Sequence, residues 1–364
     1  MKKDAGLLFD FDIRVFDESE FHHWPKLPTD LKIKILEYIP FPTLRNFMFL
    51  SKDSYSLVTR LKTLVFNVSL SDIDNFDRIQ NFVELSISWI RDGPPTKMTC
   101  PRYYILHFVE DQRGGCFVER VIEKKGRKYT YAGVRYNHSP RLVALATLFH
   151  FSTYMDIRET AMGLSALDPE EEHLLNVQPT TTVIAKDEFC IRAGASAIVS
   201  SFLRFLRPGC RLRVYPLREQ KGFFLDTRFF DSVVVHASPA IDFDFTTGAT
   251  DDQIVLFQCY DITMCVPNVT AKAINRIILE WLEGKREINV YALKGLGNVT
   301  KTEILQDVEV VPWEKFLTMI YNGDWWGLRL NQGEGTGLYN GARFLIVLVE
   351  TDSCQLLDPY FCEK

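Results

Sequence analysis

Residues 27–58 read LPTDLKIKILEYIPFPTLRNFMFLSKDSYSLV, and this stretch predicts a run of short helices. A proline at position 28 fixes its own backbone where the first helix begins, and Thr29 or Asp30 is placed to cap that helix. The apolar residues that follow have helical spacing and share one face: Leu31, Ile35, Leu36 and Ile39.

Two further helices are predicted after this one. Pro40 and Pro42 end the first helix, because proline cannot continue it. Thr43 can cap a second helix and Ser51 can open a third. Apolar residues continue along both: Leu44, Phe47, Met48, Tyr55, Val58 and Leu61. Three short helices cannot bury so much apolar surface alone, which predicts a partner for the surplus.

The same stretch resembles an F-box. The residues that carry the resemblance are Leu27-Pro28, Asp30, Leu31, Ile35-Leu36, Ile39, Pro42, Leu44, Ser51-Lys52 and Tyr55. Tyr55 stands where the family usually has Trp, and Phe49 where Val is common. The alternative is an ordinary helical subdomain whose apolar face forms its own core.

The resemblance implies docking on the Skp adaptor, which connects an F-box to a cullin and to ubiquitin conjugation. Carried over by position, the expected contact residues are Leu27, Pro28, Leu31, Leu36, Leu44 and Leu50. Ile35 and Ile39 are equally compatible with an internal role.

The chain around the F-box divides into further segments. Residues 1–20 alternate apolar and acidic positions and are expected to form a tail, residues 21–62 the F-box, and residues 63–180 a β-hairpin and helix segment. Within that segment, strands flank a turn at 112–115, an amphipathic helix covers 139–153, and the polar stretch 156–180 is expected to be an exposed loop.

Residues 181–364 contain an internal repeat, in which 201–218 aligns without a gap on 277–294. Each copy predicts a helix end, a glycine-containing turn and a strand. The apolar runs 233–235 and 254–257 are interpreted as further strands, which gives strands near 214, 234, 256 and 290. These intervals are typical of leucine-rich repeats. The predicted fold class is α+β: a three-helix F-box, followed by an α/β leucine-rich-repeat-like domain with hairpin strands.

The region after the F-box also resembles the F-box-associated domain of the large nematode-type F-box family, which implies a substrate-recruiting role. The hairpin strands before the helix at 139–153, the motif WLEGKR from Trp281 and the motif VPWE from Val311 carry this resemblance. Trp325 and Trp326 lie between Gly323 and Gly327, so a loop is expected to present them to a target, and packing in the core is the alternative.

The composition of the chain argues against some classes of partner and indicates a compartment. A net charge of -5 and a pI near 5.9 argue against nucleic acid as a partner. The eight cysteines contain no C-x-x-C pair, which favours a reducing compartment. No apolar run approaches the roughly 20 residues that span a membrane. We therefore expect a cytoplasmic or nuclear protein.

Catalytic signatures are weak. The glycines at 333, 335 and 337 lack the Gly-Lys-Ser/Thr of a phosphate-binding loop. Asp242, Asp244, Asp251 and Asp252 are the best candidates for a metal site, although solvated acids next to a strand explain them as well. The sequence thus predicts a binding adaptor without catalytic residues or cofactors. The alternatives are a metal-dependent or small-molecule enzyme built on the second half, and an F-box scaffold without a ligase role.

Overall fold

The computed structural model describes residues 24–39, 44, 47–48, 50–74, 79–88, 103–124, 127–218, 220, 222–320, 335–350 and 352–359. The chain divides into two compact units, Met1–Lys186 and Asp187–Lys364. The predicted tail at 1–20 and the candidate target contacts Trp325 and Trp326 lie outside the described residues.

The first unit begins with a helical module. A 3-10 turn at Trp24–Lys26 precedes helix α1 (Thr29–Glu37), and Lys52–Arg60 forms helix α2. Leu44, Phe47 and Met48 are also helical. Ser51 caps α2 as predicted, because its Oγ accepts a hydrogen bond from the Ser54 N–H at 3.0 Å.

The predicted cap of α1 was wrong. Pro28 holds the N-cap position in an extended conformation, and no side chain caps the helix. Thr29 and Asp30 therefore lie inside the first turn of α1, where the Asp30 carboxylate favours the positive end of the helix dipole. The predicted cap of the second helix, Thr43, lies outside the described residues.

One mixed sheet follows in the first unit, with the strand order β6-β1-β2-β3-β4-β5. Its strands are β1 (Thr63–Ile73), β2 (Ile79–Ser88), β3 (Tyr103–Glu110), β4 (Cys116–Lys124), β5 (Arg127–Tyr136) and β6 (Met155–Leu164). Strand β6 runs parallel to β1, and the other neighbours are antiparallel. The predicted hairpin between β3 and β4 is confirmed, with Gly114 and Gly115 at φ of 85° and 86°.

Helix α3 (Pro140–Ser152) packs against β2, β3 and β6 and provides the core of the first unit. The prediction of an exposed loop over 156–180 was wrong, because strand β6 and helix α4 (Pro169–Val177) occupy most of it. Acidic composition misled that interpretation. Asp168 and Glu171 form a capping box, so the acids mark the start of a helix.

A buried ion network joins these elements. The Arg141 Nε lies 2.8 Å from both carboxylate oxygens of Glu171, and its Nη1 lies 2.9 Å from Asp72 Oδ2. Glu171 is fully buried, and burial raises its pKa, while the hydrogen bonds from the Asp168 N–H and from Arg141 oppose that rise. Ser165 donates its N–H and its hydroxyl to Asp72. One guanidinium therefore fixes β1, α3 and α4 together.

The second unit contains five parallel strands in chain order, β7 (Glu188–Ala193), β8 (Arg211–Pro216), β9 (Ala240–Thr246), β10 (Asp261–Cys265) and β11 (Val290–Lys294). The antiparallel strands β14 (Ser353–Leu357), β13 (Phe344–Val349) and β12 (Gly335–Tyr339) extend the sheet beyond β11. The predicted repeat is confirmed as helix, glycine turn and strand, with Gly209 and Gly284 at positive φ.

Helices connect the parallel strands: α5 (Ser196–Leu203), α6 (Val233–His236), α7 (Asp251–Leu256) and α8 (Ala271–Leu282). A 3-10 turn at Thr227–Asp231 precedes α6, while α9 (Lys301–Ile304) and α10 (Trp313–Ile320) follow β11. The prediction of strands at 233–235 and 254–257 was wrong. Both runs lie on connecting helices, and strands β9 and β10 come a few residues later.

We predict that Arg141→Met lowers the free energy of unfolding by about 3 kcal/mol, because it leaves the Glu171 and Asp72 carboxylates buried without their cation. Urea denaturation of the full chain measures the loss. Arg276→Met is the matched control, since Arg276 forms an exposed i,i+4 pair with Glu280 and its loss should cost about 0.5 kcal/mol or less. Equal losses in the two variants would contradict a structural role for the network.

Candidate protein-binding surfaces

Helix α1 presents an apolar stripe to solvent. Leu31 and Ile35 of α1 and its C-cap residue Tyr38 follow one another at i, i+4 and i+7, and their exposed fractions are 48%, 42% and 88%. A helix stripe with this spacing is the usual anchor set for binding into a groove. Leu50 and Tyr55 are also exposed apolar residues of the same module.

The opposite side of the module forms its small core. Leu36, Leu44, Met48, Leu57 and Val58 are buried. Trp24 packs edge-on against Phe47, with ring centres 5.1 Å apart. The module therefore separates its apolar residues into an inner set that holds the helices together and an outer set that faces water.

The six predicted contact residues fall on both sides of this division. Pro28, Leu31 and Leu50 are exposed and Leu27 is half-buried. Leu36 and Leu44 are buried, so their side chains stabilise the module instead of offering contact surface. Sequence reasoning left the role of Ile35 open and missed Tyr38. The i, i+4, i+7 spacing from Leu31 was the signal that identifies both.

The second unit offers a different kind of surface, which we call the open strand face. Along β7 to β11, alternate residues such as Ile191, Val214 and Tyr291 are buried. Connections between neighbouring parallel strands are right-handed, so their helices cover a single side of the sheet. The residues between them point to the other side: Glu188, Cys190, Arg192, Arg211, Arg213, Tyr215, Asp242, Asp244, Thr263, Cys265, Ala292 and Lys294.

Helix α10 closes one end of the open strand face. Phe316 is fully buried against Ile346 and Leu357, and Trp313 stacks on it at 5.5 Å. A Cβ at Gly337 would lie 2.1 Å from the Phe316 ring, so only glycine lets the helix approach the sheet this closely. Val290 also packs against this cluster, so α10 covers the start of β11.

Polar pairs cross the strands on this face. The Tyr215 hydroxyl donates to Asp242 at 2.7 Å, and burial together with that carboxylate raises the tyrosine pKa. Lys294 contacts Asp244 at 2.6 Å, and this hydrogen bond raises the lysine pKa. Arg213 lies 3.4 Å from Glu188. The face is thus polar and mixed in charge, and exposed pairs of this kind cost little to exchange for contacts with a partner.

The comparison with known families concerns the helical module. Residues 24–66 match the F-box domain. The match covers α1, α2 and the start of β1. No curated protein and no solved structure gives a significant match to the chain.

The acidic candidates for a metal site do not come together. Asp242 accepts from Tyr215, Asp244 pairs with Lys294, and Asp251 accepts from the N–H and hydroxyl of Thr270. Asp252 lies in the first turn of α7. Within the described part of the chain, no group of three or more His, Cys, Asp or Glu residues has metal-binding geometry.

The buried thiols are poor nucleophiles. Burial raises the pKa of Cys116, Cys210, Cys259 and Cys354 to about 12, so these thiols stay protonated at neutral pH. They pack as small apolar side chains. Among the described helices, none combines the length and the apolar character that a membrane span requires.

We predict that truncating two neighbouring residues of α1 changes the free energy of unfolding by very different amounts. Leu36→Ala should lower the free energy of unfolding by about 2–5 kcal/mol, because it leaves a cavity in the F-box core. Ile35→Ala should change it by about 0.5 kcal/mol or less, because its side chain faces water. Chemical denaturation of both variants makes the comparison, and a larger loss for Ile35→Ala would contradict the assignment of inner and outer sides.

Proposed function

We propose that this chain is the target-recognition adaptor of a Skp–cullin–F-box ubiquitin ligase. The observation that carries the proposal is the F-box match over residues 24–66, on a module whose first helix exposes an apolar stripe. An exposed stripe of Leu31, Ile35 and Tyr38 is costly to leave in water unless a partner covers it.

Skp binding would use this outer set. We place Leu31, Ile35, Tyr38 and Leu50 at the centre of the interface, with Leu27 and Pro28 at its edge, and give Leu36 and Leu44 a supporting role in the core. Large apolar side chains at the centre of an interface account for most of the binding energy, because they exclude water there.

Target binding would fall to the rest of the chain. Strands β7 to β11 begin at residues 188, 211, 240, 261 and 290, and repeats of about 20–29 residues are typical of leucine-rich repeats. We therefore propose that the second unit is leucine-rich-repeat-like and that its open strand face contacts the target. The resemblance to the nematode-type F-box-associated domain supports the same role, and Trp325 and Trp326 remain proposed target contacts.

The chemistry proposed for the chain is proximity. An adaptor that holds a target near a conjugating enzyme raises the effective concentration of the target lysine, and needs no catalytic group or cofactor of its own. Neither nucleic acid nor membrane enters this proposal. The cytoplasm and the nucleus, where cysteines stay reduced, are the proposed locations.

We expect the variant Leu31→Asp with Ile35→Asp to weaken binding to the purified Skp adaptor by about 100-fold or more, because two central apolar anchors are replaced by charges. Biolayer interferometry with the full chain measures the change.

The matched control for this variant is Val233→Asp with Leu256→Asp, which places the same two charges on exposed apolar residues of the second unit. It should leave Skp affinity unchanged. Retained affinity in the α1 variant would show that the interface is elsewhere. Circular dichroism of both variants verifies that they are folded.

For the target side, we expect Arg213→Glu with Lys294→Glu to remove a set of proteins from those cross-linked to the wild-type chain, because the variant reverses two exposed charges of the open strand face. Quantitative mass spectrometry of the cross-linked proteins compares it with the wild type and with Trp325→Ala/Trp326→Ala. Skp should remain in all three samples. If the charge variant cross-links the same proteins as the wild type, the target contacts lie outside the open strand face.

A further inference from the structure

Helix α1 begins without a side-chain cap. Pro28 occupies the N-cap position, and its carbonyl accepts from the N–H groups of Leu31 and Lys32 at 3.1 Å each. In most helices a capping side chain, or an apolar contact across the first turn, fixes the angle at which the chain enters. Proline has no side-chain acceptor, so the entry angle of α1 depends on other residues.

The Trp24 ring connects the chain before α1 to two helical segments. Its centre lies 5.1 Å from that of Phe47, with the two ring planes at 77°. From α1, the Lys32 ammonium lies 5.8 Å from the Trp24 ring centre and donates to the Pro25 carbonyl at 3.4 Å. Edge-on aromatic pairs and cations near an indole ring are both favourable contacts. We call this set of contacts the Trp24 clasp.

Two residues of the proposed Skp interface directly follow the clasp. The Leu27 N–H donates to the Trp24 carbonyl at 3.2 Å, so one turn of 3-10 helix leads from the indole to Leu27. Leu27 is half-buried and Pro28 is exposed. The Pro28 carbonyl is in turn bonded to Leu31, the first residue of the exposed stripe. The clasp therefore holds the backbone that carries Leu27 and Pro28.

We propose that Trp24 is a positioning residue for the Skp interface, which orients Leu27 and Pro28 with the assistance of Lys32. Without the clasp, the chain before α1 would be ordered only when Skp binds, and the entropy cost of that ordering would lower the affinity. The effect requires no contact between the Trp24 ring and Skp. The positioning role rests on the proposed function, whereas the contacts of the clasp do not.

A double-mutant cycle with the full chain tests the positioning role. We expect Trp24→Ala to weaken binding to the purified Skp adaptor by about tenfold, and Trp24→Phe, which keeps a ring against Phe47, to recover most of the loss. Leu27→Ala should weaken binding by about fivefold in the wild-type background and by about twofold or less in the Trp24→Ala background. Equal effects of Leu27→Ala in the two backgrounds would overturn the proposal.

Two control variants separate positioning from a general loss of structure. Tyr38 lies at the opposite end of α1 from the clasp, so Tyr38→Ala should weaken binding by the same factor in both backgrounds. Val58→Ala truncates the core of the module and should lower its stability, yet change Skp affinity by about twofold or less while the chain is folded. Urea denaturation verifies the folded fraction of each variant. A loss of affinity in Val58→Ala equal to that in Trp24→Ala would contradict the positioning role.

Hydrogen exchange measured by NMR examines the clasp in the absence of Skp. The Leu27 amide should exchange about tenfold faster in Trp24→Ala, whereas the Tyr55 amide, bonded to the Ser51 carbonyl in α2, should exchange as in the wild type. Unchanged exchange at Leu27 would overturn the clasp. Absence of Skp binding by the wild-type chain would contradict the ligase proposal, and Skp binding that does not respond to Trp24→Ala would contradict only the positioning role.

Discussion

The contact between Arg141 and its two buried carboxylates fixes the geometry of the first unit. Glu171 belongs to the start of α4 and Asp72 to the end of β1, so the guanidinium holds elements far apart in sequence in one register. An apolar cluster of the same volume would provide similar stability. The ion network instead restricts how the connected elements are oriented. A planar guanidinium that bonds along two edges can hold its carboxylate partners in few relative positions.

The second unit uses a second arginine for a related purpose. Arg286 donates to the carbonyl oxygens of Val255 and Phe257, at the C-terminal end of α7, and also contacts Glu280 on α8. Carbonyl groups at a helix end lack partners within the helix, and a cation there also favours the helix dipole. Helices α7 and α8 are thus tied to each other.

The sequence predicted local structure where a strong local rule applied. The cap at Ser51, the hairpin glycines at 114 and 115, and the repeat of helix, turn and strand are all confirmed, because each depends on neighbouring residues. The apolar runs at 233–235 and 254–257 failed for a general reason. Short β-branched runs fit a buried helix as well as a strand. Tertiary packing decides which of the two forms, and the sequence alone does not show that packing.

The predicted site residues show the same difference between what local sequence determines and what tertiary packing determines. Family position identified the module, yet it grouped Leu36 with Leu31, although one is buried and the other exposed. Position along a motif does not distinguish a residue that packs inside from one that binds outside. Leu36 is buried together with Met48 and Val58, residues that come later in the chain and lie outside α1. Burial in the folded module was needed to separate the two roles.

The α1 stripe and the open strand face differ in the physical origin of their proposed affinity. The α1 stripe offers side chains from a helix whose main chain is already hydrogen-bonded, so burial of apolar area must dominate, and salt should have little effect. The open strand face offers exposed ion pairs, so binding there should weaken as salt screens the charges. A ligase adaptor needs this separation. Its link to the ligase must persist while targets exchange. Because one site depends on apolar area and the other on charge, the affinity for the ligase and the affinity for the target can change independently.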